Sequence, residues 1–126
     1  KSKIGTIASN ISETKVYDDK NIVKVTTKET LNKSNFPEAI NFSRKLKIDT
    51  KNSYYHVGIY CYHFETLKDF VNFKQSTNEL KNKLEQLRAL DNNIKINVAL
   101  TNSPPIGVDT MEDYVAIKKL MEYKSS

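Results

Sequence analysis

Two residues of one alternating apolar segment, His56 and Tyr60, are the first candidates for chemistry in this chain. A period of two places both side chains on one face of a predicted strand, roughly 13 Å apart between their Cα atoms. That separation is too long for a catalytic dyad but suits two sides of a sugar pocket. A histidine packed under a helix is the structural alternative. His63 falls on the opposite face, and nothing pairs the two histidines as a metal site.

Three further residues could recognise hydroxyl and carboxylate groups. Glu85 and Gln86 lie side by side on a predicted helix, away from its apolar stripe, and can accept and donate hydrogen bonds to vicinal hydroxyls. Arg44 follows a predicted strand, and a guanidinium binds a carboxylate through two parallel hydrogen bonds. The structural alternatives are an ordinary exposed helix face and a surface arginine, and the residues alone leave both open.

A carboxylate in the last quarter of the chain could hold a divalent cation. Asp109 lies in a Gly-Val-Asp-Thr turn between a predicted strand and the last predicted helix. A hard cation prefers oxygen ligands and keeps several waters, so a single carboxylate can contribute to its site. The alternative, which spacing alone favours, is that Asp109 joins Thr110 in capping the helix.

Hydrophobic periodicity predicts the elements that must position these groups. Alternating segments predict five strands, at 4–8, 22–26, 39–43, 56–62 and 94–100. Helical spacing predicts three helices, at 64–73, 79–90 and 111–122. The last helix opens on a variant capping box made by Thr110 and Asp113. This order predicts an α/β fold, a layered mixed sheet with flanking helices.

The same periodicity predicts which side chains enter the core. In the 56–62 strand the core face is expected to carry Val57, Ile59 and Cys61, and the sole cysteine is expected to be a buried, inert thiol. One cysteine excludes an internal disulfide framework and agrees with a reducing cytoplasm. The apolar stripes of the first two helices are expected to face the core: Phe64, Leu67, Phe70, Val71, Leu80, Leu84, Leu87 and Leu90.

Bulk composition excludes several classes of protein. With 126 residues and 38% hydrophobic content, the chain fits one globular domain. No apolar run approaches the roughly 20 residues of a spanning helix, so no membrane association is expected. The net charge of +5 comes from lysines spread among acidic residues, which favours a solvated surface over nucleic-acid binding. The start at Lys1 without a methionine indicates a piece of a longer protein.

Five short motifs together indicate a family. Tyr55 to Tyr62, Leu84 to Arg88 and Ile106 to Asp113 occur in a fixed order, with Asn21 to Val25 and Phe42-Ser43-Arg44 before them. In this order and with these gaps they resemble the C-terminal half of the 3-deoxy-manno-octulosonate cytidylyltransferases, also called CMP-Kdo synthetases. The resemblance covers nearly the whole chain. It implies that residues 1–126 are the sugar-binding and dimerisation half of a Rossmann-like nucleotide-sugar transferase domain.

The resemblance also implies an activity and a role for each site residue. The full-length enzyme would join CTP and 3-deoxy-manno-octulosonate (Kdo) to give CMP-Kdo and pyrophosphate for lipopolysaccharide synthesis, as a cytoplasmic homodimer. Asp109 would be the catalytic residue that holds Mg²⁺, together with an Asp of the nucleotide-binding half. That half is absent from this chain, so the chain alone is expected to be inactive. The sugar-binding residues would be Arg44, His56, Tyr60, Glu85 and Gln86.

Three departures from the family pattern keep two alternatives open. The family's loop usually carries Ile-Pro and a second basic residue, whereas the loop from Lys45 to Ser53 has no proline and no arginine. Asn78 stands in an altered Ser-Pro-Leu-Glu motif, and Asn82 replaces an acidic residue. One alternative is a cytidylyltransferase for a related ulosonic acid. The other is a catalytically silent dimerisation or interaction module.

Overall fold

The chain forms four strands, then three short helices, a fifth strand and a last helix, close to the order expected. The computed structural model describes residues 3–102 and 110–125. A short 3-10 helix at Thr14–Asp18 follows the first strand. The strands are β1 (Ile4–Ser9), β2 (Lys24–Thr27), β3 (Ala39–Ser43), β4 (Ser53–Tyr62) and β5 (Ile96–Leu100). The helices are α1 (Phe64–Asn72), α2 (Thr77–Asn82), α3 (Leu87–Asp91) and α4 (Met111–Ser125).

All five strands form one mixed sheet in the order β3-β2-β4-β1-β5. β1 pairs with β5 in parallel, and the other three pairings are antiparallel. All five strands lie within about three residues of their predicted bounds, and β3 matches its prediction at both ends. The predicted layered mixed sheet with flanking helices is therefore confirmed.

The helices between β4 and β5 cover the sheet face that carries the aromatic side chains of β4. Phe70 of α1 lies 5.8 Å from Tyr62 between ring centroids. Leu84 and Leu87 join the same buried cluster from the α2–α3 segment, and Phe42 joins it from β3. No helix in the two described ranges is long and apolar enough to cross a membrane.

The predicted core face of β4 is wrong at two of its three positions. Val57 is buried, but Ile59 is 61% exposed and Cys61 is also exposed, so the thiol is not the buried group expected. The predicted alternation is kept across a two-residue bulge, in which Thr6 pairs with Tyr60 and Ile7 with Val57; the difference lies in which face the helices cover. The helices pack on the opposite face, so Ile59 and Cys61 line an apolar hollow of about 540 Å³, to which no charged residue of the described ranges contributes.

The predicted helix at 79–90 is also wrong as a single element. α2 ends at Asn82, because Lys83 adopts a left-handed conformation with φ 54°, and α3 begins at Leu87. Leu84 turns inward and is buried, while Leu80 of the predicted stripe is 57% exposed. Glu85 and Gln86 therefore lie in a turn between two short helices, not on a continuous helix surface.

Most of the apolar stripe predicted for α1 faces solvent. Phe70 is buried together with Thr66, whereas Phe64, Leu67 and Val71 are exposed. These three residues lie three and four positions apart and form one apolar face on the helix.

The predicted cap of the last helix is confirmed. At the start of α4, the Asp113 amide donates to the Thr110 hydroxyl, and the Thr110 amide donates to the Asp113 carboxylate.

Candidate functional site

One pocket collects the polar side chains that the sequence singled out before Asp109. Its volume is about 440 Å³, and it lies between β4, the turn before β2 and the turn between α2 and α3. Five lining residues are those predicted to bind a sugar acid, namely Arg44, His56, Tyr60, Glu85 and Gln86. These residues come from three separate segments of the chain, at 44, 56–60 and 85–86, and the fold brings the segments together.

Besides Tyr55, two polar lining residues were not predicted as site residues. Asn21 precedes β2, and Lys83 sits at the break after α2; both line the pocket. Asn21 belongs to one of the five family motifs, which was the signal available for it. Lys83 gave no signal, because the helical pattern concealed its left-handed conformation. The Gly58 backbone completes the floor beside His56, and its exposed position leaves space above the strand.

Arg44 links two walls of the pocket through backbone carbonyls. Its guanidinium donates to the carbonyl oxygens of Lys20 at 3.0 Å, Asn82 at 3.3 Å and Lys83 at 3.0 Å. A guanidinium has five N–H donors, so these bonds leave capacity for an anionic ligand. Arg44 is thus more than the surface arginine considered as its alternative.

The backbone of Arg44 is fixed in turn by a buried lysine. The Nζ of Lys24 donates to the carbonyl oxygens of Asp19 and Ile22, each at 2.7 Å, and to the carbonyl oxygen of Arg44. Burial lowers the pKa of Lys24, and the negative charge of Asp19 opposes that shift. Three carbonyl oxygens replace the water that a buried ammonium loses, so this lysine ties the 19–22 turn to the end of β3.

A buried ion pair holds the turn that carries Glu85 and Gln86. Glu79 of α2 accepts two hydrogen bonds from Arg88 of α3, at 2.8 and 2.7 Å, and Ser76 forms a capping box with Glu79. The hydrogen bonds from Arg88 lower the pKa of Glu79. The Arg88 guanidinium also stacks 4.8 Å from the ring centroid of Phe70. The Ser and Glu of the altered family motif thus keep a structural task.

His56 and Tyr60 lie side by side in the pocket, not on two sides of it as predicted. Their ring centroids are 5.5 Å apart, because the bulge in β4 shortens the strand between them. Burial lowers the pKa of His56 from its ordinary value of 6.5 to about 4. Burial also raises the pKa of Tyr60, helped by the nearby Tyr62 and Glu85. At neutral pH the pocket therefore presents an uncharged imidazole and a protonated phenol.

The electrostatics of the pocket suit an acid with several hydroxyl groups. Arg44 and Lys83 contribute positive charge to its lining, which stabilises a carboxylate. Glu85, Gln86, His56 and Tyr60 supply acceptors and donors for hydroxyls. This set of groups can bind and orient such a ligand.

The predicted metal ligand lies outside the described residues. Asp109 falls between the two described ranges, so its role stays a prediction. Within residues 3–102 and 110–125 there is no group of three or more His, Cys, Asp or Glu side chains that could hold a metal ion.

Comparison with known proteins points to the same family as the motifs. The chain is 40% identical over 119 residues to the 3-deoxy-manno-octulosonate cytidylyltransferase of Bartonella tribocorum, covering 94% of this chain and 48% of the relative. It is 39% identical over 123 residues to the same-named protein of Thermodesulfovibrio yellowstonii, with the same coverage. The chain thus spans about half the length of the curated relatives it matches. A scan of protein-family models finds no match.

A solved structure shares the fold as well as the sequence likeness. It is CMP:2-keto-3-deoxy-manno-octonic acid synthetase complexed with CTP, 26% identical, with a TM-score of 0.79 over 98% of this chain and 50% of that one. The mixed sheet of this chain therefore matches half of the fold of that synthetase. The chain is related to the C-terminal half of the 3-deoxy-manno-octulosonate cytidylyltransferases, and the resemblance drawn from its motifs is confirmed.

The depressed pKa of His56 predicts a pH dependence of folding. Between pH 6.5 and 4 the unfolded chain binds a proton at His56 that the folded chain excludes, so the free energy of unfolding decreases as pH falls through this range. The loss at pH 4 should be about 3 kcal/mol. Urea unfolding at pH 7, 5.5 and 4 should show this loss in the wild-type chain and less of it in His56→Gln.

The second histidine supplies the matched control. His63 is exposed at the end of β4, so His63→Gln should keep the pH dependence of the wild type. Equal pH dependence in all three chains would contradict the assignment of this effect to His56.

Proposed function

We propose that this chain is the sugar-acid-binding half of a CMP-Kdo synthetase, which makes CMP-Kdo and pyrophosphate from CTP and Kdo for lipopolysaccharide synthesis. The observation that carries the proposal is the convergence of Arg44, His56, Tyr60, Glu85 and Gln86 on one pocket. The names of the relatives and of the CTP-complexed structure support it. A synthetase that consumes CTP would act in the cytoplasm.

The charge distribution supports a specific orientation of the sugar acid. Its carboxylate would take the remaining N–H donors of Arg44, near Lys83. Its hydroxyls would then lie along Glu85, Gln86, His56 and Tyr60. In the proposed reaction the anomeric hydroxyl attacks the α-phosphate of CTP and pyrophosphate leaves. This chain contributes by fixing the sugar, since orientation removes much of the entropic cost of joining two substrates.

The family also implies Mg²⁺, for which Asp109 would supply one carboxylate. Mg²⁺ is commonly bound by one or two carboxylates together with substrate phosphates, which fits one ligand from each half of the protein. When bound, it would neutralise the negative charge that develops on the phosphates.

The side chains that depart from the family pattern do not line the pocket, which supports Kdo over a related ulosonic acid. Asn82 meets Arg44 through its backbone carbonyl, which any residue would supply. Asn78 and Asn82 are exposed on α2, and their side chains hydrogen-bond to each other at 2.8 Å. Neither residue lines the pocket, and no residue from 45 to 53 does. The retained lining likewise argues against a silent interaction module.

We also propose a homodimer built on α1. Phe64, Leu67 and Val71 are 68%, 39% and 64% exposed, and they form one apolar face. Contiguous apolar side chains of this kind mark an interaction surface. Because the family implies dimerisation through this half, a second copy is the proposed partner, and neither nucleic acid nor a membrane is needed.

The proposed function predicts that the isolated chain binds Kdo but does not turn it over. Isothermal titration calorimetry with Kdo should show saturable binding to the wild-type chain, and Glu85→Gln should bind about tenfold more weakly because a charged acceptor is lost. Glu65→Gln makes the same change on an exposed site of α1 and should leave the affinity unchanged. With CTP and Mg²⁺ added, the isolated chain should release no pyrophosphate above a blank. Absent binding, or equal affinity in both variants, would count against the proposal.

The dimer is tested by sedimentation equilibrium. The wild-type chain should sediment as a dimer, and Val71→Lys should shift it towards monomer by placing a charge in the apolar face. Asp69→Lys adds a lysine on another exposed side of the same helix and should leave the dimer intact. A wild-type monomer at all concentrations would refute the dimer.

The metal role of Asp109 is tested in the full-length protein. Asp109→Asn should lower kcat by about a hundredfold, because an anionic ligand is lost, while Tm stays unchanged. If Asp109 only capped the helix, asparagine would serve nearly as well and kcat would hardly change. Asp113→Asn is the control, since it alters the observed cap and should affect Tm more than kcat.

A further inference from the structure

The hydroxyl of Thr6 lies beneath the pocket, where it meets three possible hydrogen-bond partners. Thr6 is a buried residue of β1. Its Oγ1 lies 2.9 Å from Nε2 of His56, 2.8 Å from the carbonyl oxygen of Ile59 and 3.3 Å from the carbonyl oxygen of Val57. Because both carbonyls flank the bulge of β4, the Thr6 side chain fills a gap in the strand ladder.

A threonine hydroxyl has one proton, so these distances determine in which hydrogen bond it donates and in which it accepts. Two oxygens 2.8 Å apart require a proton between them, and a carbonyl cannot supply it. The Thr6 hydroxyl therefore donates to Ile59, and it must accept its hydrogen bond from His56. That acceptance places a proton on Nε2 of the imidazole.

We propose that Thr6 is a positioning residue that fixes His56 as the Nε2–H tautomer, so that Nδ1 accepts a hydrogen bond from a hydroxyl of the bound sugar acid. The inference rests on the proposed function for its ligand. The tautomer assigned to His56 rests on the Thr6 contacts alone.

The surroundings of His56 support this assignment. Phe42 packs edge-on against the ring at 5.0 Å between centroids, and Tyr60 packs on it at 5.5 Å, so the ring cannot easily turn over. The low pKa of His56 keeps the ring neutral at pH 7, which leaves one nitrogen as an acceptor. Within the described ranges, Thr6 is the hydrogen-bond partner that the ring has, and the ring lines the pocket.

The tautomer of His56 favours one orientation of the ligand in the pocket. A ring nitrogen without a proton accepts a hydroxyl donor but repels a carbonyl or carboxylate oxygen. The carboxylate of the ligand is then disfavoured at the His56 end and favoured beside Arg44, which lines the same pocket. Thr6 would thus help to choose the orientation of the sugar without touching it.

The first test reads the tautomer directly and needs no ligand. Long-range ¹H–¹⁵N correlation spectra of the two imidazoles should show His56 protonated at Nε2 in the wild-type chain, with exposed His63 as the internal reference. Thr6→Ser keeps the hydroxyl and should preserve this pattern, whereas Thr6→Val should give a mixture of both tautomers. A wild-type His56 protonated at Nδ1, or an unchanged tautomer in Thr6→Val, would overturn the inference. The wild-type spectrum alone tests the tautomer assigned to His56, even if Thr6→Val does not fold.

The second test adds Kdo as the probe. Thr6→Val should weaken its binding about tenfold, and Thr6→Ser should bind within about twofold of the wild type. Equal binding by Thr6→Val would overturn the inference and leave the proposed function standing. If the spectra show the Nε2–H tautomer but the wild-type chain binds no Kdo, the proposed function fails, and the ligand half of this inference fails with it.

Discussion

The pocket depends on the break in the chain at Lys83. Its left-handed conformation ends α2 and turns Glu85 and Gln86 towards β4, where a continuous helix would have left them facing solvent. A non-glycine residue with positive φ needs support, because the conformation is intrinsically unfavourable. Arg44 gives that support by binding the carbonyl of Lys83, and the Glu79–Arg88 ion pair joins the two helices across the break.

Two cationic side chains shape this site by donating hydrogen bonds to backbone carbonyl oxygens. Lys24 gathers carbonyls from the 19–22 turn and from Arg44, and Arg44 gathers carbonyls from both walls of the pocket. The carbonyls that meet Lys24 are part-buried, where an unpaired carbonyl would be costly. One consequence is that Arg44 has two tasks, since the guanidinium that shapes the pocket is also placed to meet an anion. Its replacement would therefore change both the folding and the binding of the chain.

Periodicity predicted the order of elements well, and the motifs predicted which side chains would meet. It failed where tertiary contacts override local pattern. The alternation of β4 was predicted, but the strand pattern could not show which of its two faces the helices cover, so Ile59 and Cys61 are exposed where a core face was expected. The break at Lys83 was hidden because its leucines keep helical spacing through a turn. The fixation of His56 by Thr6 joins residues 50 apart, which no local pattern contains.

The central claim is that the pocket between β4 and the 83–86 turn binds a sugar acid. Backbone amide NMR spectra of the chain titrated with Kdo test it most directly, because they locate the ligand without needing the other half of the enzyme. The account predicts shifts concentrated at residues 21–23, 55–58 and 83–86, with little change in the apolar hollow around Asn97 and Ala99. Shifts concentrated in that hollow, or no saturable shifts at all, would contradict it.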